Sequence, residues 1–188
     1  DDLVVTHVEE ADSNFHARFS AYERSYVYLI KVGEIRSTFL RNYVYHVNKS
    51  IDLKLLSKEL KSIIGTHDFS AFRSSQCSAK DPVKTISKAS FEERYNLICI
   101  EFSANAFLHN MIRILIGSLV EISTNADSKY TITDIISSKD RALAGKTAPA
   151  NGLYFLGAKY KDIQNTNIPF KKFFDSLWVR LKYAELMI

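Results

Sequence analysis

The order of strand-like and helix-like segments most restricts what this chain can fold into. From residue 24 onward, hydrophobic periodicity predicts hairpin, helix, hairpin, helix and strand. This order is typical of a ferredoxin-like, RRM-like α+β fold, in which helices cover one face of an antiparallel sheet. The opposite face would then be free to bind a ligand. Strands are predicted at 24–32, with Tyr26, Tyr28 and Ile30 on one face, and at 42–47, 83–92, 96–103 and 153–160. Helices are predicted at 51–64, at 105–122 and near residue 133, and a long polar loop at 66–82.

The predicted helix at 105–122 is apolar and carries a single arginine, Arg113, at its centre. At about 100° per residue, Asn105, His109 and Asn110 fall on the same side as Arg113. A lone guanidinium amid aliphatic side chains is costly unless a carboxylate or phosphate meets it. The pattern leaves two interpretations open: a structural arginine, partly exposed or ion-paired within the domain, and a functional site.

Composition and charge set broader limits. The 188 residues are 46% hydrophobic and 24% charged, which is ordinary for one globular domain with a proper core. The net charge of +4 favours an anionic partner such as nucleic acid without deciding the matter. Cys77 and Cys99 have no CxxC or metal-ligand spacing, so we expect reduced thiols, a cytoplasmic protein and no metal site. No segment has the length of a transmembrane helix or the pattern of a signal peptide.

Changes in composition divide the chain into three predicted parts. We expect residues 1–23 to contain a strand at 3–9 and a linking segment, and residues 24–160 to form the ferredoxin-like domain. Residues 161–188 would be a linker followed by an amphipathic helix. We expect its apolar stripe to pack on its own domain or on a dimer partner, with membrane-surface binding as the minor alternative. The stripe consists of Phe170, Phe173, Phe174, Leu177, Trp178 and Leu181.

Four short motifs mix aromatic and basic residues in an unusual way. They are FHARFSA (15–21), DFSAFR (68–73), NAFLHNMIR (105–113) and GLYF (152–155). In this order, and on this pattern of strands and helices, they resemble the TruA family of tRNA pseudouridine synthases. The resemblance covers about residues 1 to 160.

This resemblance implies a function and two catalytic residues. The family converts uridine to pseudouridine at positions 38 to 40 of the tRNA anticodon stem-loop, as a homodimer and without a cofactor or metal. An aspartate attacks the ribose or initiates glycal formation, the glycosidic bond breaks, and the base rotates and is rejoined through C5. Arg113 matches the arginine that pairs with this aspartate, and a guanidinium does lower a carboxylate pKa and keep it ionised. Tyr26 matches the tyrosine that packs on the target base.

The remaining candidates are expected to bind RNA rather than to react. Arg18 and Arg73 would contact phosphates or line the site, which positions RNA without reading its sequence. His16 lies in the same motif as Arg18. His109 would brace the site, with a purely structural histidine as an equal alternative. Three lysines are further candidates for an RNA-facing surface: Lys80, Lys84 and Lys88.

One family motif has no match in this sequence. The family's nucleophilic aspartate belongs to an Arg-Thr-Asp-x-Gly motif, whereas the aspartates here are expected in caps, loops and turns. We therefore expect this chain to be the larger, C-terminal part of such an enzyme and to be inactive alone. The aspartates considered are Asp52, Asp68, Asp81, Asp134 and Asp140.

The main alternative function is a non-catalytic RNA-binding module of the same fold. An internal ion pair between Arg113 and an acid of this chain would remove the main support for the enzyme. A cleft that brings Arg113 beside Tyr26 would favour the enzyme. A structural or membrane-associated protein that acts through the helix from Phe170 to Leu181 is a more distant alternative.

Overall fold

The computed structural model describes residues 5, 7–125, 128–161, 163 and 170–176. They form a mixed α+β fold around a six-stranded sheet. The strands are β1 (Glu23–Val32), β2 (Tyr45–Val47), β3 (Gly65–Asp68), β4 (Val83–Arg94), β5 (Leu97–Ala104) and β6 (Leu153–Lys159). The helices are α1 (Leu53–Ser62), α2 (Met111–Thr124) and α3 (Ile132–Ser138). Residues 170–176 are also helical, and we refer to them as the helical segment 170–176.

The sheet runs β2-β1-β5-β4-β3, and β1 pairs with three strands, β2, β5 and β6. On the side away from β5, β6 pairs antiparallel with the first part of β1, while β2 pairs with its end at Ile30–Val32. The β1–β2 pairing is parallel, so the predicted first hairpin is wrong although both strands exist. Side-chain alternation is the same in parallel and antiparallel strands, and the pattern therefore carries no information about direction.

One face of the sheet packs against α1 and α2 in the larger hydrophobic core. Tyr28 and Ile30 of β1 are buried in it and Tyr26 packs at its margin, which confirms the prediction that these three side chains share a face. Helix α3 extends this helical layer beside α1. At their junction the buried Glu59 carboxylate accepts a hydrogen bond from the Ile132 backbone N–H at 2.8 Å, which satisfies a donor at the start of α3.

The opposite face is not free over its central strands, and that prediction is wrong. Phe170 and Phe174 of the helical segment 170–176 are 9% and 0% exposed and pack with Val27, Leu29 and Cys99. All eight residues of β5 are consequently buried. The predicted packing of the Phe170 stripe on its own domain is confirmed for the described residues. Leu177, Trp178 and Leu181 lie outside them.

The largest differences between predicted and observed elements lie in three segments. The predicted loop at 66–82 begins with β3, which pairs with β4; it was missed because four residues are too few for a clear alternation. Helix α2 begins at Met111 instead of residue 105, because Asn110 has a left-handed backbone with φ of 62°. Residues 5 and 7–9 of the predicted first strand are in no strand. None of the helices in the described ranges is long and apolar enough to cross a bilayer.

Candidate active site

A cavity of about 580 Å³ opens between β1 and the start of α2. Its wall also includes residues 76–79, residues 107–110 and the first residue of β6. Two sequence segments about eighty residues apart thus meet there because β1 lies beneath the N-terminal turn of α2. The aromatic and polar groups of the lining include Arg18, Tyr26, Phe107, His109, Asn110 and Arg113.

Arg113 is half-buried in the first turn of α2 and is held by two neutral acceptors. Its Nε donates to the Ala148 carbonyl oxygen at 2.7 Å, and its Nη1 donates to Asn110 Oδ1 at 3.1 Å. Within the described parts of the chain, no carboxylate forms an ion pair with it. The first turn of α2 also contains no acidic side chain. The guanidinium and the positive end of the helix dipole therefore favour an external anion at this point.

Two glycines allow the segment 145–149 to pack directly on α2. A Cβ on Gly117 would lie 1.7 Å from the Lys146 carbonyl oxygen, and a Cβ on Gly145 would lie 2.7 Å from the Ser118 backbone nitrogen. The Ala148 N–H donates to the Arg113 carbonyl at 3.0 Å. This close approach brings the Ala148 carbonyl within reach of the Arg113 side chain.

Tyr26 projects from β1 into a group of three aromatic rings. Its ring centroid lies 5.4 Å from that of Phe107 and 5.2 Å from that of Phe155, both with tilted or edge-on geometry. Burial raises the pKa of the Tyr26 hydroxyl above its ordinary value, and the charge of Arg24 opposes this only in part. Tyr26 therefore presents a neutral aromatic ring at the cavity, close to an exposed Phe155.

Arg18 reaches the cavity from a turn that Arg24 holds in place. The Arg24 guanidinium donates to the carbonyl oxygens of Arg18, Ala21 and Asn105. The exposed Arg18 side chain lies over the Phe19 ring, 5.6 Å from its centroid. Arg24, which sequence reasoning did not single out, thus joins the FHARFSA and NAFLHNMIR motifs.

The three other candidates have different surroundings. His109 lines the cavity, and its backbone N–H donates to Cys77 Sγ at 3.4 Å. His16 and Arg73 are not part of the lining. His16 Nδ1 accepts the backbone N–H of Arg18 at 3.1 Å, and Arg73 Nη2 donates to the Cys77 carbonyl at 2.9 Å. Both side chains therefore stabilise loops, and their RNA contacts stay a prediction.

Two of the three candidate lysines form polar contacts with other residues of this chain. Lys84 Nζ donates to the carbonyls of Asp81 and Val83 at 2.6 and 2.8 Å. Lys88 pairs with the buried Glu101 at 2.5 Å on the sheet face opposite the cavity. These contacts argue against an RNA-facing surface at Lys84 and Lys88.

Four of the five aspartates are placed as predicted, in caps and turns, whereas Asp68 is the last residue of β3. Asp52 caps α1 and Asp134 forms a capping box with Thr131, while Asp140 caps a short 3-10 helix. Asp81 accepts from the Val83 N–H, and Asp68 ends β3 and bonds Ser70. None of these five lines the cavity.

Sequence reasoning missed several members of the site. Asn110 and Phe107 lie inside the quoted motif NAFLHNMIR, and an Asn just before a helix was an available signal. Phe155 lies in GLYF, where its partnership with Tyr26 follows only from the β1–β6 register. The Ala148 carbonyl has no side-chain signature, so no sequence pattern could have found it.

Comparisons with known proteins identify the family to which the chain belongs. A family model described as tRNA pseudouridine synthase matches residues 60–161. Proteins named tRNA pseudouridine synthase A are 41% identical over 160 residues in Geobacillus sp. (strain WCH70) and in Acetivibrio thermocellus. That of Buchnera aphidicola subsp. Schizaphis graminum is 40% identical over 158 residues.

The matches extend over most of this chain but over less than two thirds of each relative. They cover 85%, 85% and 84% of this chain, and 64%, 66% and 60% of the relatives from Geobacillus, Acetivibrio and Buchnera. The chain thus spans less than two thirds of the length of the curated relatives it matches. With a family model that matches more than half of its residues, the chain belongs to the tRNA pseudouridine synthase family.

Proposed function

We propose that this chain supplies part of the active site of an enzyme that isomerises uridine to pseudouridine in the tRNA anticodon stem-loop, at positions 38 to 40. The supporting observation is that Tyr26 and Arg113 line the same cavity, with no described carboxylate paired to the guanidinium. A buried or half-buried guanidinium without an anionic partner is costly. The catalytic aspartate, from outside the residues of this chain, is the partner we propose.

The proposed roles follow from the chemistry of the two side chains. Arg113 keeps the aspartate ionised and fixes its direction, because a nearby guanidinium lowers a carboxylate pKa. Tyr26 packs its ring on the uracil, which has to leave the base stack before its glycosidic bond can react. The N1–C1′ bond breaks, the C5–C1′ bond forms, and the proton lost from C5 is balanced by one gained at N1. This isomerisation requires no cofactor or metal.

Arg18 and His109 are proposed to contact the RNA at the cavity. Both are exposed, and Arg18 carries a permanent charge suited to a phosphate. We further propose that residues 24–160 form the catalytic and RNA-binding domain, that the complete enzyme is a cytoplasmic homodimer, and that this chain is inactive alone. The non-catalytic module has less support, because the helical segment 170–176 covers the sheet face that such a module would use.

The test is pseudouridine formation in an anticodon stem-loop by the full-length protein that contains this chain. We expect activity in that protein, none in the isolated chain, and restored activity when the N-terminal part is supplied in trans. Arg113→Ala should lower the rate about 100- to 1000-fold, as expected for loss of a preorganised charged contact in a transition state. Tyr26→Ala should also be strongly impaired.

Matched controls are available for both substitutions. Arg36 and Tyr95 are exposed residues of the same types and do not line the cavity, so Arg36→Ala and Tyr95→Ala should retain normal activity. Normal activity in Arg113→Ala or Tyr26→Ala would refute the site assignment. Activity of the isolated chain would refute the proposal that the aspartate comes from outside it.

A further inference from the structure

Asn110 occupies the N-cap position of α2, but its side chain does not cap the helix. An Asn that precedes a helix normally accepts a hydrogen bond from a backbone N–H of the first turn. Asn110 forms no such cap on α2. Its Oδ1 instead accepts a hydrogen bond from Arg113 Nη1 at 3.1 Å, and it lines the same cavity. The Asn110 side chain is therefore hydrogen-bonded to the Arg113 guanidinium and not to the backbone of the first turn of α2.

The hydrogen bonds of Arg113 divide its donors into used and available ones. A guanidinium has five N–H groups. Nε is used by the Ala148 carbonyl and one Nη1 hydrogen by Asn110, and the others have no partner among the described residues. Both partners are neutral, so the positive charge stays uncompensated. A carboxylate that accepts two parallel hydrogen bonds needs one edge of the fork, and with Nε occupied this edge is Nη1–Nη2.

We infer that Asn110 is a positioning residue that orients Arg113 so that its Nη1–Nη2 edge meets the catalytic carboxylate. This inference rests on the proposed function of the cavity. Asn110 acts through the guanidinium: its amide oxygen holds Nη1 from one side while the Ala148 carbonyl holds Nε from the other. These two hydrogen bonds, together with the covalent bond of the guanidinium to its own side chain, restrict the orientation of the planar group.

The backbone of Asn110 supports the same role. Its φ of 62° lies in the left-handed region, which Asn tolerates better than most residues and which Gly adopts without penalty. This conformation begins α2 at Met111 and leaves the Asn110 side chain beside Arg113. Asn110→Gly therefore removes the amide while the backbone conformation remains accessible.

Asn96 provides a matched control elsewhere in the molecule. It is an exposed Asn in the β4–β5 turn with φ of 61°, and it does not line the cavity. Asn96→Gly makes the same chemical change in the same backbone conformation. Any general effect of Asn-to-Gly substitution in the left-handed region should appear in both variants.

The kinetic test uses the full-length protein under single-turnover conditions with saturating anticodon stem-loop RNA. We expect Asn110→Gly to lower the rate about 10- to 100-fold, the range for loss of a hydrogen bond to a charged group. The thermal midpoint and the RNA dissociation constant should match those of Asn96→Gly. The acidic limb of the pH–rate profile should move to higher pH, because a misdirected guanidinium lowers the carboxylate pKa less.

A second variant tests whether Asn110 acts through Arg113. Lysine keeps the charge but has no planar fork to orient. In an Arg113→Lys background, Asn110→Gly should therefore change the rate less than about 3-fold, as residues that share one interaction are not additive. An equal loss in both backgrounds, an equal loss in Asn96→Gly, or a rate for Asn110→Gly within 2-fold of the parent would overturn the inference.

A measurement that does not depend on activity separates this inference from the proposed function. In arginine side-chain NMR of this chain, we expect faster rotation and hydrogen exchange of the Arg113 Nη groups in Asn110→Gly than in the parent. Unchanged Arg113 signals would refute the positioning role. If they change as expected while the full-length parent forms no pseudouridine, the positioning role stands and the proposed function fails.

Discussion

At the residue scale, the charge of Arg113 in an apolar helix has no anionic partner among the described residues. Arg113 is satisfied by a carbonyl oxygen and an amide oxygen, and no described carboxylate neutralises it. Neutral acceptors offset part of the cost of desolvation, but the charge itself remains for an external anion. An internal ion pair would have stabilised the arginine equally well and removed its electrostatic effect.

The Tyr26 hydroxyl should not ionise in the working pH range. Burial raises its pKa above the ordinary value of 10.0, so it stays protonated at every pH below that value. In the full-length protein, Tyr26→Phe should retain the shape of the pH–rate profile below about pH 10, and it should be less impaired than Tyr26→Ala because it keeps the ring. A limb of the profile below that pH that disappears in Tyr26→Phe would contradict this prediction.

At the scale of the structural elements, helix α2 and the segment 145–149 pack directly against each other. Gly117 and Gly145 allow backbone to approach backbone, and Ser118 Oγ accepts the Gly145 N–H at 2.8 Å. The Tyr28 hydroxyl donates to the Pro149 carbonyl at 2.6 Å. The position of the Ala148 carbonyl, and with it one fixed point of Arg113, therefore depends on residues that do not touch the cavity.

Gly117→Ala tests this contact because packing and helix propensity predict opposite signs. Propensity alone predicts that Ala in a helix stabilises by about 0.5–1 kcal/mol relative to Gly. The new Cβ would instead collide with the Lys146 carbonyl oxygen, and overpacking of this kind costs about 1–3 kcal/mol. We expect a lower free energy of unfolding in urea. A more stable variant would show that the segment 145–149 yields without cost.

Helices α1 and α2 illustrate how well the bounds of an element can be predicted from sequence. The helix predicted at 51–64 from its apolar stripe agrees with α1 (Leu53–Ser62) to within two residues at each end. For α2, the apolar periodicity continued upstream through Asn105, and nothing in it revealed the left-handed Asn110. The backbone conformation of this single residue, with φ of 62°, is not encoded by local periodicity.

At the scale of the whole molecule, helices cover both faces of the sheet over its central strands. The larger core lies under α1 and α2, and a smaller one joins Val27, Leu29 and Cys99 to the helical segment 170–176. The burial of β5 on both sides follows from this arrangement. Access to the sheet is thus restricted, and the cavity opens at the margin of the larger core, beside Tyr26.

Phe174→Ala should strongly destabilise the chain. Phe174 is fully buried in the smaller core, and truncation of such a phenylalanine costs about 3–5 kcal/mol. Phe39→Ala is the control, because Phe39 is 58% exposed and should change the free energy of unfolding little. Urea denaturation of both variants gives the comparison. Equal stabilities would mean that the helical segment 170–176 contributes little to the fold.

Acid should remove the contribution of Asp68 to stability. Hydrogen bonds from Ser70 and the neighbouring Lys139 lower the pKa of Asp68 from 3.8 to about 2. A carboxyl whose folded pKa is lowered stabilises above its unfolded pKa and loses this contribution as the pH falls through the folded one. The difference in stability between parent and Asp68→Asn should therefore be largest near neutral pH and vanish toward about pH 2.

The control for this experiment is Asp81→Asn. Asp81 has a 70% exposed side chain and a longer contact of 3.6 Å to Lys84, so its substitution should have little effect at any pH. Thermal unfolding at several pH values measures all three proteins. A difference between parent and Asp68→Asn that does not change with pH would rule out the ion pair as its cause.

The sequence by itself determined most of the strands and helices, the face shared by Tyr26, Tyr28 and Ile30, and the isolation of Arg113 in an apolar helix. These are local properties, because periodicity and composition act through neighbours in the chain. Only the tertiary structure decided the direction of β2, the covering of the second sheet face, and the two acceptors that hold Arg113. Each of these depends on atoms distant in sequence, and a backbone carbonyl such as that of Ala148 is chemically the same at every position of the chain.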